Sequence, residues 1–182
     1  MKKLVIWLML VLSMAVWAGD SKDVVVGSKK GSERGDVEAQ FAVAVMHEKG
    51  IGTLQDHAEA VRFYKLAAEQ GHLLAQHHLA WKYDGGDGVV QDHAEAVRWF
   101  KLAATQGDSS AQFTLALKYG KGEGVLQDFL QAHMWANLAA ASGFKKATGL
   151  RGVIAGGMTP QQIAEAQGMA KRCKASQFRD CD

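Results

Sequence analysis

Apolar and polar positions alternate along this chain on a helical beat. From Leu73 to Tyr83, Ala75, Leu79 and Tyr83 recur at helical spacing, which predicts a first helix, A. Gly85-Gly86-Asp87-Gly88 stops it, because glycines supply the backbone angles of a turn. Asp92-x-x-Glu95 then reads as a capping box opening a second helix, B, whose broad apolar face holds Ala96, Trp99, Phe100, Ala103 and Ala104 before Gly107 ends it. Asp56-x-x-Glu59 repeats that box, and Asp128-x-x-Gln131 is a weaker version.

The whole pattern recurs. Gly35, Gly71, Gly107 and Gly143 are 36 residues apart, and Ala39, Ala75, Ala111 and Ala147 keep the same step. So do the pairs Gln55-Asp56, Gln91-Asp92 and Gln127-Asp128, while Asp56–Arg62 and Asp92–Arg98 are identical in sequence. A fixed period in this range predicts stacked units, each burying its apolar flank against the next. Ala44, Ala80 and Ala116 on helix A, with Ala60, Ala96 and Ala132 on helix B, let the helices approach closely, and Phe63, Trp99 and Trp135 fill the space between layers.

The ends differ. Residues 143–175 form a degenerate capping unit: Gly149 and Gly152 weaken its first helix, and Thr159-Pro160-Gln161-Gln162 opens its second as cap, first-turn proline and capping-box partner. Residues 19–34 are polar and glycine-containing, and are expected to be extended or poorly ordered. The organisation is thus repeats at 35–70, 71–106 and 107–142, the capping unit at 143–175, and a tail at 176–182.

Lys2-Lys3, the apolar run Leu4–Val16 broken only by Ser13, and the small residue Ala18 predict a signal peptide over residues 1–18. The run is shorter than the ~18–20 apolar residues of a membrane span. Its removal takes Lys+Arg from 21 to 19, against 19 Asp+Glu, so the exported chain is neutral. A neutral surface argues against nucleic acid or an anionic membrane as the main partner. The expectation is a monomer, periplasmic or secreted, that binds a protein or peptide.

Cys173 and Cys181 are the only cysteines, and an exported protein favours their oxidation over metal or catalytic use. On one continuous helix they would be ~12 Å apart, beyond the ~7 Å that a disulfide allows. An intramolecular bridge therefore requires the last helix to end near Ala175-Ser176 and the tail to fold back; an intermolecular bridge or free thiols are the alternatives.

Ala111-Gln112-Phe113-Thr114-Leu115-Ala116-Leu117-Lys118-Tyr119, then Gly122-x-Gly124-Val125-x-Gln127-Asp128, Ala132, Trp135 and Ala139-Ala140 resemble a Sel1-like repeat. The likeness recurs over residues 35–142, with a weaker fit to about residue 174; His47 and Thr53 depart from the pattern in the first unit. It implies an all-α, right-handed α/α solenoid of three full repeats plus the cap, acting as a protein-binding scaffold in bacterial envelope or secretion settings. Some cysteine-rich relatives are linked to penicillin binding or β-lactamase activity. They carry a disulfide within each repeat, which this chain lacks, so the activity is not carried over.

At about 100° per residue, Phe41 and Val45, His77 and Trp81, and Phe113 and Leu117 fall on a helix A face turned from the core stripe. They are the candidate partner-binding ladder on the concave wall. The same side chains would also serve simply by packing between helices. Seven histidines show no metal-ligand spacing, and no cofactor fingerprint occurs. Ser142-x-x-Lys145 has the spacing of penicillin-binding enzymes but lacks companion motifs. The reading is therefore a non-enzymatic scaffold, with an inhibitor or immunity protein against an envelope-acting toxin or hydrolase as the alternative, and a peptidoglycan or β-lactam enzyme as the remote one.

Overall fold

The computed structural model describes residues 25–181, so the expected leader lies outside the described residues. The described residues form nine helices and no strand: α1, seen over residues 25–33, then α2 (Val37–Lys49), α3 (His57–Glu69), α4 (Leu73–Gly85), α5 (His93–Thr105), α6 (Ser109–Lys121), α7 (Phe129–Ala141), α8 (Lys145–Ala155) and α9 (Pro160–Ala175). The pairs α2/α3, α4/α5 and α6/α7 are tight hairpins, and each hairpin packs on the next through α3/α4 and α5/α6. This is an α/α solenoid.

The punctuation follows the sequence. Asp56, Asp92 and Asp128 cap α3, α5 and α7, accepting from the amides of Glu59, Glu95 and Gln131. Each such cap contributes about 1 kcal/mol. The predicted return arm of the first two capping boxes is absent. Glu59 bonds Arg62, and Glu95 bonds Arg98 and Trp99, because a guanidinium one turn on is a stronger partner for a carboxylate than a backbone amide. Only Thr159 and Gln162 complete both halves.

The six alanines expected at close helix crossings, Ala44, Ala80, Ala116, Ala60, Ala96 and Ala132, are fully buried. Trp99 and Trp135 are buried as expected, whereas Phe63 is only partly so. The second glycine of each inter-helix loop does more than turn the chain. A Cβ on Gly88 would lie 2.3 Å from the His57 carbonyl oxygen, and one on Gly124 would lie 2.2 Å from that of His93. The loop backbone of each unit therefore rests on the first turn of helix B in the unit before.

Two terminal features differ from expectation. Residues 25–33 are helical rather than extended, and Gly31 lets α1 lie against Ala39. At the other end α8 and α9 each pack on α7 with little contact between themselves, so the last unit is not a hairpin. Register would start its second helix at residue 165, one period after Phe129, but Thr159-Pro160 starts it at residue 160, as the sequence predicts. So placed, α9 packs on α7, where Leu138 is 3% exposed while its counterparts Leu66 and Leu102 are 36% and 40% exposed. Beyond α9, Gln177 and Phe178 take left-handed backbone angles that turn the tail back. Cys173 and Cys181 are joined, with Cα atoms 4.5 Å apart. Closing so short a loop contributes about 2–3 kcal/mol.

Candidate functional site

Three of the predicted ladder residues meet the helix start of the following unit, 31 residues on. Phe41 stacks on His72, the N-cap of α4, with ring centroids 4.5 Å apart. His77 places Nδ1 2.6 Å from the carboxylate of Asp108, the N-cap of α6. Phe113 meets Phe144, which precedes α8, at 5.0 Å. These side chains are partly buried in the joints between units. Val45 is partly buried against the core, and Leu117 lines a cleft described below.

Trp81 is different. It is 46% exposed, yet its indole N–H donates to His77 Nε2 at 3.1 Å and its ring stands edge-on to Phe100 at 5.2 Å. The chain Trp81 to His77 to Asp108 assigns the imidazole proton to Nδ1, since Nε2 must accept. The Asp108 carboxyl is raised by burial, but the His77 bond and the amides of Ala111 and Ser110 outweigh this and hold it below its ordinary value. The tryptophan is thus an exposed aromatic held in one place.

Beside this wall runs a row of charges that the sequence reading missed. Lys82 on α4 bonds Glu48 on α2 at 2.6 Å and Asp87 at 2.5 Å. One period later Lys118 on α6 bonds Asp84 on α4 and reaches Glu123 at 3.4 Å. Both lysines are buried. Burial pushes the Glu48 carboxyl up, but bonds from Lys82 and Tyr64 pull it below the usual carboxylate range. Tyr64 itself is pushed up by burial and by its 2.7 Å bond to Glu48. The signal was available: Glu48/Asp84, Lys82/Lys118 and Asp87/Glu123 are each 36 residues apart.

A second row of polar bonds lies within the repeats: Gln70 bonds Gln40 in the first and Gln106 bonds Gln76 in the second, each at 2.7 Å. The glutamine row stops in the third repeat and the charge row at the third joint. Ser142 stands where Gln106 had been, and the buried Gln112 Oε1 has no partner among the described residues. Gly120 and Ile154 replace the acid and the lysine, and between them opens an apolar cleft of about 280 Å³.

Ser142 is the C-cap of α7 and Lys145 begins α8, both exposed, and neither lines that cleft. Among the described residues no three His, Cys, Asp or Glu side chains gather as a metal site would require, and no helix is long and apolar enough to cross a membrane.

Comparison with known proteins is consistent with this geometry. The family model of the Sel1 repeat matches residues 37–72, 73–108 and 109–144, a frame shifted two residues from that read in the sequence. A solved protective antigen present in uropathogenic Escherichia coli strains, displaying an SLR fold, is 32% identical with a TM-score of 0.69, over 85% of this chain and 32% of that one. The present chain thus spans about a third of that protein's length. A Sel1 repeat protein from Oxalobacter formigenes is 37% identical with a TM-score of 0.65, over 70% of this chain and 96% of that one. No curated protein sequence matches.

Proposed function

Because the chain belongs to the Sel1 repeat family, a family of protein-interaction scaffolds, we propose that it is a non-enzymatic scaffold whose helix A wall holds a partner protein or peptide. The wall comprises Phe41, Val45, His77, Trp81, Phe113 and Leu117. One observation carries the reading. Trp81 keeps 46% of its surface in solvent while two neighbours fix its ring. An aromatic ordered before binding loses little entropy when a partner covers it, which is the economy of an interface anchor. The partner meets it outside the cytoplasm, a setting that the Cys173–Cys181 bridge favours.

The test is Trp81→Ala. Because about half of the ring is covered by the protein, its loss costs stability about 2–3 kcal/mol, which leaves the variant folded. Capture of a stoichiometric partner from envelope extract by the intact protein, abolished in Trp81→Ala at a temperature where the variant is fully folded, supports the wall. Retained capture by the variant removes it.

A further inference from the structure

The cleft at the third joint lies where the array's own bonding pattern lapses. In the first two joints a buried lysine and its acids fill the space between successive A helices. In the third, the equivalent positions hold Gly120, Ile154 and Thr159, one period after Asp84, Lys118 and Glu123. Gly120 leaves room, since a Cβ there would meet nothing nearer than Ala132 Cβ at 3.9 Å. The result is a cleft of about 280 Å³ whose walls include Leu117, Phe129, Leu150 and Ile154. A dry cavity near 150 Å³ takes a benzene, so this one accommodates a large side chain with part of its backbone. Its mouth is marked by Val153, 77% exposed, and Phe129, 46% exposed.

Charge indicates which segment brings that side chain. Residues 37–144 carry eight Lys and Arg against twelve Asp and Glu; residues 143–182 carry seven against three. The cleft straddles the boundary, and the charged residue in its lining is basic. Lys121 lines it, with Glu123 3.4 Å away as a partial counter-charge, and Lys146 is exposed one turn before Leu150 on α8. The nearest other carboxylate in sequence, Asp128, is engaged by the amides of Leu130 and Gln131.

We propose that this cleft is a second docking site, for an acidic segment of a partner protein that inserts one bulky apolar side chain between α6 and α8. The apolar anchor supplies affinity, and the basic cap selects carboxylates on either side of it. The site is separate from the Trp81 wall, sharing only Leu117 with it, and does not depend on that wall.

The probe is a fluorescein-labelled Asp-Glu-Gly-Phe-Gly-Glu-Asp peptide, read by fluorescence anisotropy at low salt. Binding to the intact protein is expected to weaken at least about tenfold when Gly replaces the Phe or Lys replaces the acids. Gly120→Leu fills the cleft and abolishes binding. It also raises the melting temperature, because leucine favours the helix that glycine weakens. Val153→Asp, on an exposed position, weakens binding with the fold intact, and Trp81→Ala binds as the intact protein does. Failure of the Phe peptide to bind, equal binding by Gly120→Leu, or tighter binding of the Lys peptide overturns the proposal. So does a concentration-dependent dimer in sedimentation velocity that Gly120→Leu abolishes, which would give the cleft to a second copy.

Discussion

Between the first two repeats Glu48 reaches Lys82, and between the next two Asp84 reaches Lys118; at the joint with the last unit the same positions hold Gly120 and Ile154. The first two joints also share the bonds that Gln76 and Gln112 donate to the Ala68 and Ala104 carbonyls, and the seating of Gly88 and Gly124 on the preceding helix B. The third has instead Phe113 on Phe144, a buried Ile154 and an open cleft. Joints held by paired charges and backbone fit demand one register. A joint held by apolar contact tolerates the altered placement of α8 and α9, and leaves room for another chain.

The largest effect expected concerns the glycine seats. Gly88→Ala puts a methyl 2.3 Å from the His57 carbonyl oxygen at a φ of +79°, so backbone strain and a backbone clash add. The expected loss is about 3–4 kcal/mol. Gly107→Ala is the control. Its φ of +92° is similar, but nothing lies within 4 Å of the added carbon, so only the strain remains, about 1 kcal/mol. Urea unfolding of the two variants measures the difference. Equal losses would mean that the seats do not hold the joints.

Next in size is Lys82→Ala. It leaves Glu48 without its main counter-charge in a mostly buried place and frees Asp87. Removing one member of a fully buried pair costs about 3–5 kcal/mol; the partial exposure here lowers the expected loss to about 2–3 kcal/mol. Glu48→Gln, which keeps the shape and removes the charge, should lose less. A Lys82→Ala variant as stable as the intact protein would reduce the row to ornament.

Much of this architecture was legible, and the reason is physical. A 36-residue period states that each unit sees its neighbours, and Asp, Gly and Pro mark helix ends through local bonding, so the Asp56, Asp92 and Thr159 starts and the tail's return to Cys173 could be read. What the period does not state is how far one unit slides along the next. Helical spacing alone places Phe41, His77 and Phe113 on an outward face of their own helices, whereas each also meets residue 72, 108 or 144 of the following unit. The Glu48–Lys82 bond depends on the same slide. Residues 25–33 are helical and lie against the first repeat, which polar composition does not reveal.

Acid should distinguish the two kinds of joint by a smaller, graded effect. The carboxyls of Glu48, Asp84 and Asp108 are pushed up by burial but held below their ordinary values by bonds from Lys82, Lys118 and His77 respectively; Asp87 is lowered chiefly by Lys82. A carboxyl depressed in the folded state stabilises the fold above its unfolded value, near about 4, and that contribution disappears as pH falls through the lower folded value. All four groups belong to the first two joints. His78 and His133 act at a higher pH: burial lowers both, so the unfolded chain takes up protons first and stability begins to fall below about 6.5. Stability should therefore decline in two stages, a histidine stage from about pH 6.5 and a carboxylate stage from about pH 4 downward. Lys82→Ala should flatten the second stage, since Glu48 and Asp87 then titrate closer to their unfolded values. Ile154→Ala, which weakens only the apolar joint, should lower stability equally at every pH. Urea midpoints at pH 7, 5 and 3 for the three proteins decide it. If Ile154→Ala flattens the acid limb as Lys82→Ala does, the division into charged and apolar joints is wrong.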